Sequence, residues 1–436
     1  MNILKILRKK RVRLALLCLL AMPPTIPAPA HAITLQEMLT AATRQPGVTA
    51  SELAAREGTL REQAATAALF PKINGFGKAE FYNSPTNLRP MPPTEVNVQA
   101  GDSIPFSRDI LRYGLTLDMP LFVKSLYDLR QKAARLAEKA GLAHVLELSS
   151  RKASVVAANS GLVYLLGLDK AIDARLVSLS KTREDMGLKV QIGRMAEVEL
   201  LKVESSINDL KAQKNELAAK ILDIRKDLET LTGLDITEPA AMTMTGELVA
   251  APYLGEKMAE KEAAAAREEW QRSKSARYPS LYLTGSLSGN DGVAYNTDEH
   301  IYRDYGFIGL TIQMPLFDQT LSVEQSIAQN KLHKAEKEME ATRIALAAQE
   351  KNFKGKLPVV EESRAIAAQS LANSEQILAV ARLALEQGRT TTEEYLRQEA
   401  QVLAARAALY QAENDKWRII TQLAVLYGAD LQEITQ

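Results

Sequence analysis

The 436-residue chain alternates between two hydrophobic periods. In 113–119, Tyr113, Leu115, Leu117 and Met119 alternate with Gly114, Thr116 and Asp118. In 308–314, Ile308, Leu310, Ile312 and Met314 alternate with Gly309, Thr311 and Gln313. Segment 281–288 repeats the pattern and 72–82 carries a blurred version of it. Period two marks strands with one apolar face. Each is expected to run about 9–11 residues, the length a tilted membrane strand needs. Elsewhere the period is helical. In 195–232, Leu200, Val203, Ile207, Leu210, Leu217, Ile221, Ile224, Leu228 and Leu231 recur at steps of three and four, with Lys214 in the gap. That spacing predicts a coiled-coil seam. Tyr395, Val402, Ala405, Leu409, Ala412, Ile419, Leu423 and Leu426 keep the register in a second segment, interrupted by Gln398 and Lys416. Segments 123–187 and 318–385 are also helix-rich. A helix of roughly 65 residues reaches about 100 Å, too long to fold back into a globule.

The pattern occurs twice. "MPLF" at 119–122 returns at 314–317, "GRMAEVELLKVES" from Gly193 returns as "GRTTTEEYLRQEA" from Gly388, and "LTGLDI" at 231–236 returns as "LYGADL" at 426–431. All three stand 195 positions apart. Pro71 in "LFPKI" and Pro279 in "RYPSL" stand 208 apart, so the first copy has 13 extra residues. The Pro-rich stretch 83–108 accounts for them, against 289–300 in the second copy, and both read as loops. The four prolines mark the expected junctions: Pro71 and Pro279 helix into strand, Pro120 and Pro315 strand into helix, where a residue without N–H ends a ladder and suits a helix's first turn. The expected organisation is a first repeat at 33–236, a linker at 237–252 and a second repeat at 253–436.

The N-terminus changes the picture of charge and compartment. A basic start, the apolar "LALLCLLAM" and Ala30-His31-Ala32 predict a secretory signal peptide over 1–32. It holds Cys18, the only cysteine, and six basic residues: Lys5, Arg8, Lys9, Lys10, Arg11 and Arg13. Removing those six leaves 48 basic against 53 acidic residues. That balance gives no sign of nucleic-acid binding. No run of about 20 apolar residues is expected beyond the signal, so membrane entry would require a β-barrel.

Two hairpins give four strands, and a four-stranded sheet has open edges that lipid cannot satisfy. Such a chain must oligomerise to close a barrel. The signal peptide, "ITLQEMLTAA" at 33–42, the paired "PLF" junctions and the two "G-R-x-x" turns resemble the TolC-like outer-membrane efflux proteins. The resemblance implies a mixed α and β membrane protein built as a homotrimer. Each protomer would give four strands to a 12-stranded transmembrane barrel and its helices to a coiled-coil α-barrel in the periplasm. It implies an exit duct of a tripartite efflux pump or type I secretion system, set in outer-membrane lipid. The partners would be a periplasmic adaptor and an inner-membrane RND or ABC transporter.

By the same resemblance, the turns after Gly193 and Gly388 are periplasmic tips. Gly193, Arg194 and Met195, with Gly388, Arg389 and Thr390, would meet the adaptor. Glu394 and Glu199 lie six residues past the glycines and are gate candidates. A doubled acidic ring is not expected, because Arg397 and Lys202 occupy the next acidic positions. Arg389 or Arg397 would pair across protomers to hold the tip shut. The bland alternative is ordinary helix-end chemistry at each turn. No enzyme chemistry, cofactor or metal site is expected: His144, His300 and His333 are scattered, and "GSLSGNDG" precedes a strand rather than a helix. The competing readings are a periplasmic coiled-coil adaptor and an adhesive surface coiled coil. The duplicated hairpins count against both.

Overall fold

A computed structural model describes residues 33–90 and 101–435; the expected signal peptide and Cys18 lie outside the described residues. The chain runs α1 (Leu35–Thr43), α2 (Pro46–Ala67), β1 (Lys72–Asn87), β2 (Phe106–Phe122), α3 (Lys124–Gln191), α4 (Glu197–Thr232), α5 (Leu254–Ser275), β3 (Ser280–Val293), β4 (His300–Gln313), α6 (Gln319–Glu386), α7 (Thr392–Tyr427) and α8 (Leu431–Ile434). Helices α2 and α5 each have 22 residues, α3 and α6 each 68, and α4 and α7 each 36. At 1.5 Å per residue, α3 and α6 are about 100 Å long.

All four strands join in one antiparallel sheet of order β1-β2-β3-β4. The strands are longer than the alternation predicts, at 16, 17, 14 and 14 residues. Apolar alternation marks only the part that needs an apolar face. The ladder itself needs only backbone partners, so it continues through "GNDGV", where Asn290 pairs with Arg303 and Asp291 with Tyr302. The expected loops shrink accordingly, the first to 88–105, with 91–100 outside the described residues, and the second to 294–299.

The junction prolines stand between helix and strand as expected, but not within a helix's first turn. Pro120 lies inside the end of β2, at a register shift between Pro120 and Phe122, and α3 starts only at Lys124. Pro315 lies between β4 and α6, whose N-cap is Asp318. Neither occupies a helix's first turn; Pro46 does, opening α2. Pro71 and Pro279 directly precede β1 and β3. Pro358, inside α6, leaves the Lys354 carbonyl without its helical donor.

The coiled-coil seam of α4 is buried at Val203, Ile207, Leu210, Leu217, Ile221 and Leu228. It packs on α3, and both join a core with Leu35, Met38 and Leu39 of α1. A Thr34–Glu37 capping box starts α1. The middle of α3 is apolar enough, by length and composition, to cross a membrane. Val155, Val156 and Leu162 there are fully buried inside the helical layer, so its apolarity serves packing.

Midway along the helices the irregular segment after α4 lies against α3. Asn159, fully buried, donates to the Ala240 carbonyl and accepts from the Ala240 N–H, both at 2.9 Å. Gln36 donates to the carbonyls of Gln432 and Thr435 at 2.9 and 2.8 Å. Buried Lys152 holds both oxygens of Asp430 at 2.7 and 2.8 Å. Nearby, Lys354 binds Glu350 at 2.7 Å, and the hydroxyls of Tyr253 and Tyr427 also donate to it. Lys354 chiefly, then the two hydroxyls, hold the Glu350 carboxyl down at about 2.

Candidate functional site

The two turns at the far ends of the long helices are built alike. In the first, the Gly193 N–H bonds the Val190 carbonyl at 2.9 Å and the Arg194 N–H bonds Lys189 at 2.8 Å. In the second, Gly388 bonds Leu385 at 3.1 Å and Arg389 bonds Ala384 at 2.8 Å. Both are Schellman endings, and the glycines have φ of +72° and +68°, a region that costs other L-residues about 1–2 kcal/mol. The next helices start differently. Thr391 caps α7 by accepting from the Glu394 N–H at 3.2 Å, whereas Ala196 gives α4 no side-chain cap.

Gly193, Arg194, Gly388 and Arg389 are exposed. Met195 and Thr390 are half-buried, and Met195 packs against the core that includes Tyr395. Glu394 pairs with Arg397 and accepts from Gln398 at 2.7 Å, all on α7. Arg397, first, and Gln398 hold its carboxyl below the usual carboxylate range. Glu199 pairs with Lys202 at 2.9 Å, and that contact chiefly, then the Thr392 hydroxyl, lowers it likewise. The two gate candidates are thus each neutralised within their own helix. Such exposed pairs add little stability, about 0–1 kcal/mol, but they set the local charge.

A buried polar network lies one turn further along α7, and sequence reasoning missed it. Tyr395 donates to Glu399 at 2.6 Å, and Ser178 of α3 donates to Glu399 at 2.7 Å. Ser178 and Thr182 lie 3.3 Å from the Tyr395 hydroxyl. Burial, first, and the Glu399 carboxylate push Tyr395 up. Arg175 lines the same cleft between α3, α6 and α7, and burial lowers its pKa. The network ties α3 to α7 beside the tips. Its only sequence signal is a glutamate four residues after Tyr395, one turn along the coiled-coil face. Among the described residues there is no group of His, Cys, Asp or Glu placed to hold a metal ion.

Comparison with known proteins agrees with this architecture. Residues 257–429 match the sequence model of the family described as "Outer membrane efflux protein". No curated protein matches the chain in sequence. Among solved structures, the VceC outer membrane protein of Vibrio cholerae is similar at 16% identity and TM-score 0.78, over 91% of this chain and 96% of that one. The CmeC outer membrane channel of Campylobacter jejuni is similar at 15% identity and TM-score 0.76, over 90% and 85%. The open state of the Neisseria gonorrhoeae MtrE outer membrane channel is similar at 16% identity and TM-score 0.73, over 91% and 89%. Over 257–429 the chain is thus similar to the outer membrane efflux protein family, and its fold as a whole is similar to those of solved outer membrane channels.

Proposed function

We propose that this chain is one protomer of a homotrimeric outer-membrane exit duct of a tripartite efflux pump or type I secretion system. The observation that carries the reading is the sheet. One face exposes Ile73, Leu115, Leu287, Ile308 and Leu310. The other holds a polar cluster in which Arg112 donates to Glu80 at 2.6 Å and to Asn290 at 2.9 Å. An apolar face turned to lipid and a polar face turned to a lumen describe a barrel wall. Four strands leave β1 and β4 as open edges, and lipid forbids open edges. Three copies would make a closed 12-stranded barrel, with the helices as a periplasmic tube reaching an adaptor and an RND or ABC transporter. The equal element lengths support two structural repeats, 33–236 and 253–436, joined at 237–252. Electron microscopy of the detergent-purified protein tests the reading. A threefold cylinder with about 100 Å of tube beyond the detergent belt is expected; a compact monomer without a belt would overturn it.

Two further results are expected at the tips. Glu394→Ala removes the acid that neutralises Arg397, so three freed guanidinium groups would face one another. Cation preference of the reconstituted channel should fall, by about twofold or more in permeability ratio. Unchanged selectivity in planar bilayers would remove Glu394 from the gate. The double variant Gly388→Ala, Arg389→Ala should weaken adaptor binding about tenfold while the trimer persists. Equal affinity by surface plasmon resonance would leave the turn as ordinary helix-end chemistry.

A further inference from the structure

The polar face of the sheet gathers its charge in one place. Lys78 pairs with Arg112, Arg112 with Asn290 and Asn290 with Arg303, so three cations stand in a single row across the four strands, near the hairpin loops. We propose that this row is an anion-attracting belt at the outer mouth, which favours anionic over cationic cargo at the exit. This rests on the duct reading and adds the charge class of what passes.

The excess is confined to that row. The paired positions of the polar face hold four cations, Lys72, Lys78, Arg112 and Arg303, against two carboxylates, Glu80 and Asp118. Lys72 stands directly opposite Asp118 at the helical end of the sheet. The two rows between, which run through Asn74 and Phe76 on β1, carry no charge on any strand. Glu80 lies one row further out than the belt, so three cations against one carboxylate leave two positive charges per chain there.

The two faces also segregate charge by sign. The paired positions of the apolar face hold no lysine or arginine among the described residues. Their carboxylates, Asp109, Asp291 and Asp304, gather at the same loop end. Charges kept only for solubility mix both signs on a surface. Cations turned to the lumen and carboxylates turned away from it set a field across the wall instead.

The cations are held in place and left largely unneutralised. Arg112 donates to Glu80 at 2.6 Å, and Lys78 pairs with the same carboxylate, so one acid serves two cations. Arg112 also donates to Asn290 at 2.9 Å, to the Asn87 carbonyl at 3.0 Å and to the Leu88 carbonyl. Arg303 donates to the Tyr302 carbonyl at 2.8 Å, not to a carboxylate. Lys78 keeps 65% of its side chain exposed, so its charge faces open space. Immediately outside the row, Leu88 packs against Ile110 and Ile301, and all three are buried. That apolar cluster excludes water beside the belt, and a low-dielectric wall strengthens the field that the belt projects.

Charged thiol reagents read the local potential, because no described residue is cysteine. Ser288→Cys in the full-length protein places a thiol on the polar face one row inside the belt, opposite Gly114. Its rates with anionic sulfonatoethyl and cationic trimethylammonioethyl methanethiosulfonate, each divided by the rate with 2-mercaptoethanol, give an anion-to-cation ratio. In proteoliposomes at ~10 mM salt the ratio should be about five or more, and it should collapse at ~1 M, where the screening length is about 3 Å. Adding Lys78→Gln and Arg303→Gln should bring it close to unity, whereas Lys78→Arg and Arg303→Lys should preserve it. In planar bilayers the two glutamine substitutions should lower the chloride-to-potassium permeability ratio about twofold. A thiol ratio near unity with the belt intact, or a permeability ratio that glutamine leaves unchanged, would overturn the belt and leave the duct standing. A thiol that neither reagent reaches in a conducting channel would overturn it too, by placing this face away from the path. A chain that forms no channel would overturn the duct reading and the belt together.

Discussion

Gly114→Ala should abolish the folded, membrane-inserted form. The position lies in β2 between Phe76 of β1 and Ser288 of β3. A Cβ there would sit 2.0 Å from the Leu287 carbonyl oxygen and 2.8 Å from the Ser288 Cα. Both are backbone atoms, so no rotamer change relieves the clash. The strands would have to separate where the first hairpin joins the second, breaking ladder hydrogen bonds. In water that would cost a few kcal/mol, but each backbone group left unpaired in lipid costs several. We expect outer-membrane yield to drop at least about tenfold, a loss of ~1.4 kcal/mol or more, and the heat-modifiable oligomer to disappear from gels. Gly187→Ala provides the comparison, since that helical glycine has nothing within 4 Å and alanine favours helix. A normal oligomer from Gly114→Ala would mean that β2 and β3 are not paired in this register.

The sheet and long helices were legible in the sequence because each obeys one period over many residues. Val203, Ile207 and Leu210 recur at helical spacing and are buried on one side of α4. Ile308, Leu310 and Ile312 alternate and share one exposed face. The strand ends were not legible, since polar residues such as Asn290 and Asp291 pair through backbone that carries no side-chain signal. Pro120 and Pro315 do stand where a strand gives way to a helix, but outside the helix's first turn, because the helix starts a few residues later, at Lys124 and, after the Asp318 cap, at Gln319. At the tips, the glycines and their positive φ followed from the repeated "GR". The local pairing of Glu394 with Arg397 did not, because a three-residue spacing permits an ion pair within one helix as readily as one between protomers. The Tyr395–Glu399–Ser178 network was invisible because it depends on which face of α7 meets α3, a tertiary fact.

Asn159→Ala should loosen the segment that links the two halves of the chain. Asn159 is fully buried on α3, and its amide satisfies both the N–H and the C=O of Ala240, itself buried. Alanine leaves those two backbone groups buried without partners. Each such loss costs about 1–3 kcal/mol, so the local penalty is about 2–6 kcal/mol. Asn159→Asp is no rescue, because a carboxylate accepts from the Ala240 N–H but cannot donate to its carbonyl. The helical seams do not depend on this contact, so the proposed trimer should persist while the linker opens. Limited proteolysis of the purified oligomer measures that opening. Cleavage within 237–252 should speed up by about thirtyfold for a 2 kcal/mol loss, with both variants affected. Cleavage at the wild-type rate would mean that the linker is held by its other ties, the Met244–Thr435 bridge and the Arg225 bond to the Thr237 carbonyl. If the linker does open while the channel still conducts, it acts as a strap joining two independently packed repeats. If conductance falls with it, the strap also holds α3 in the position from which α7 closes the tip.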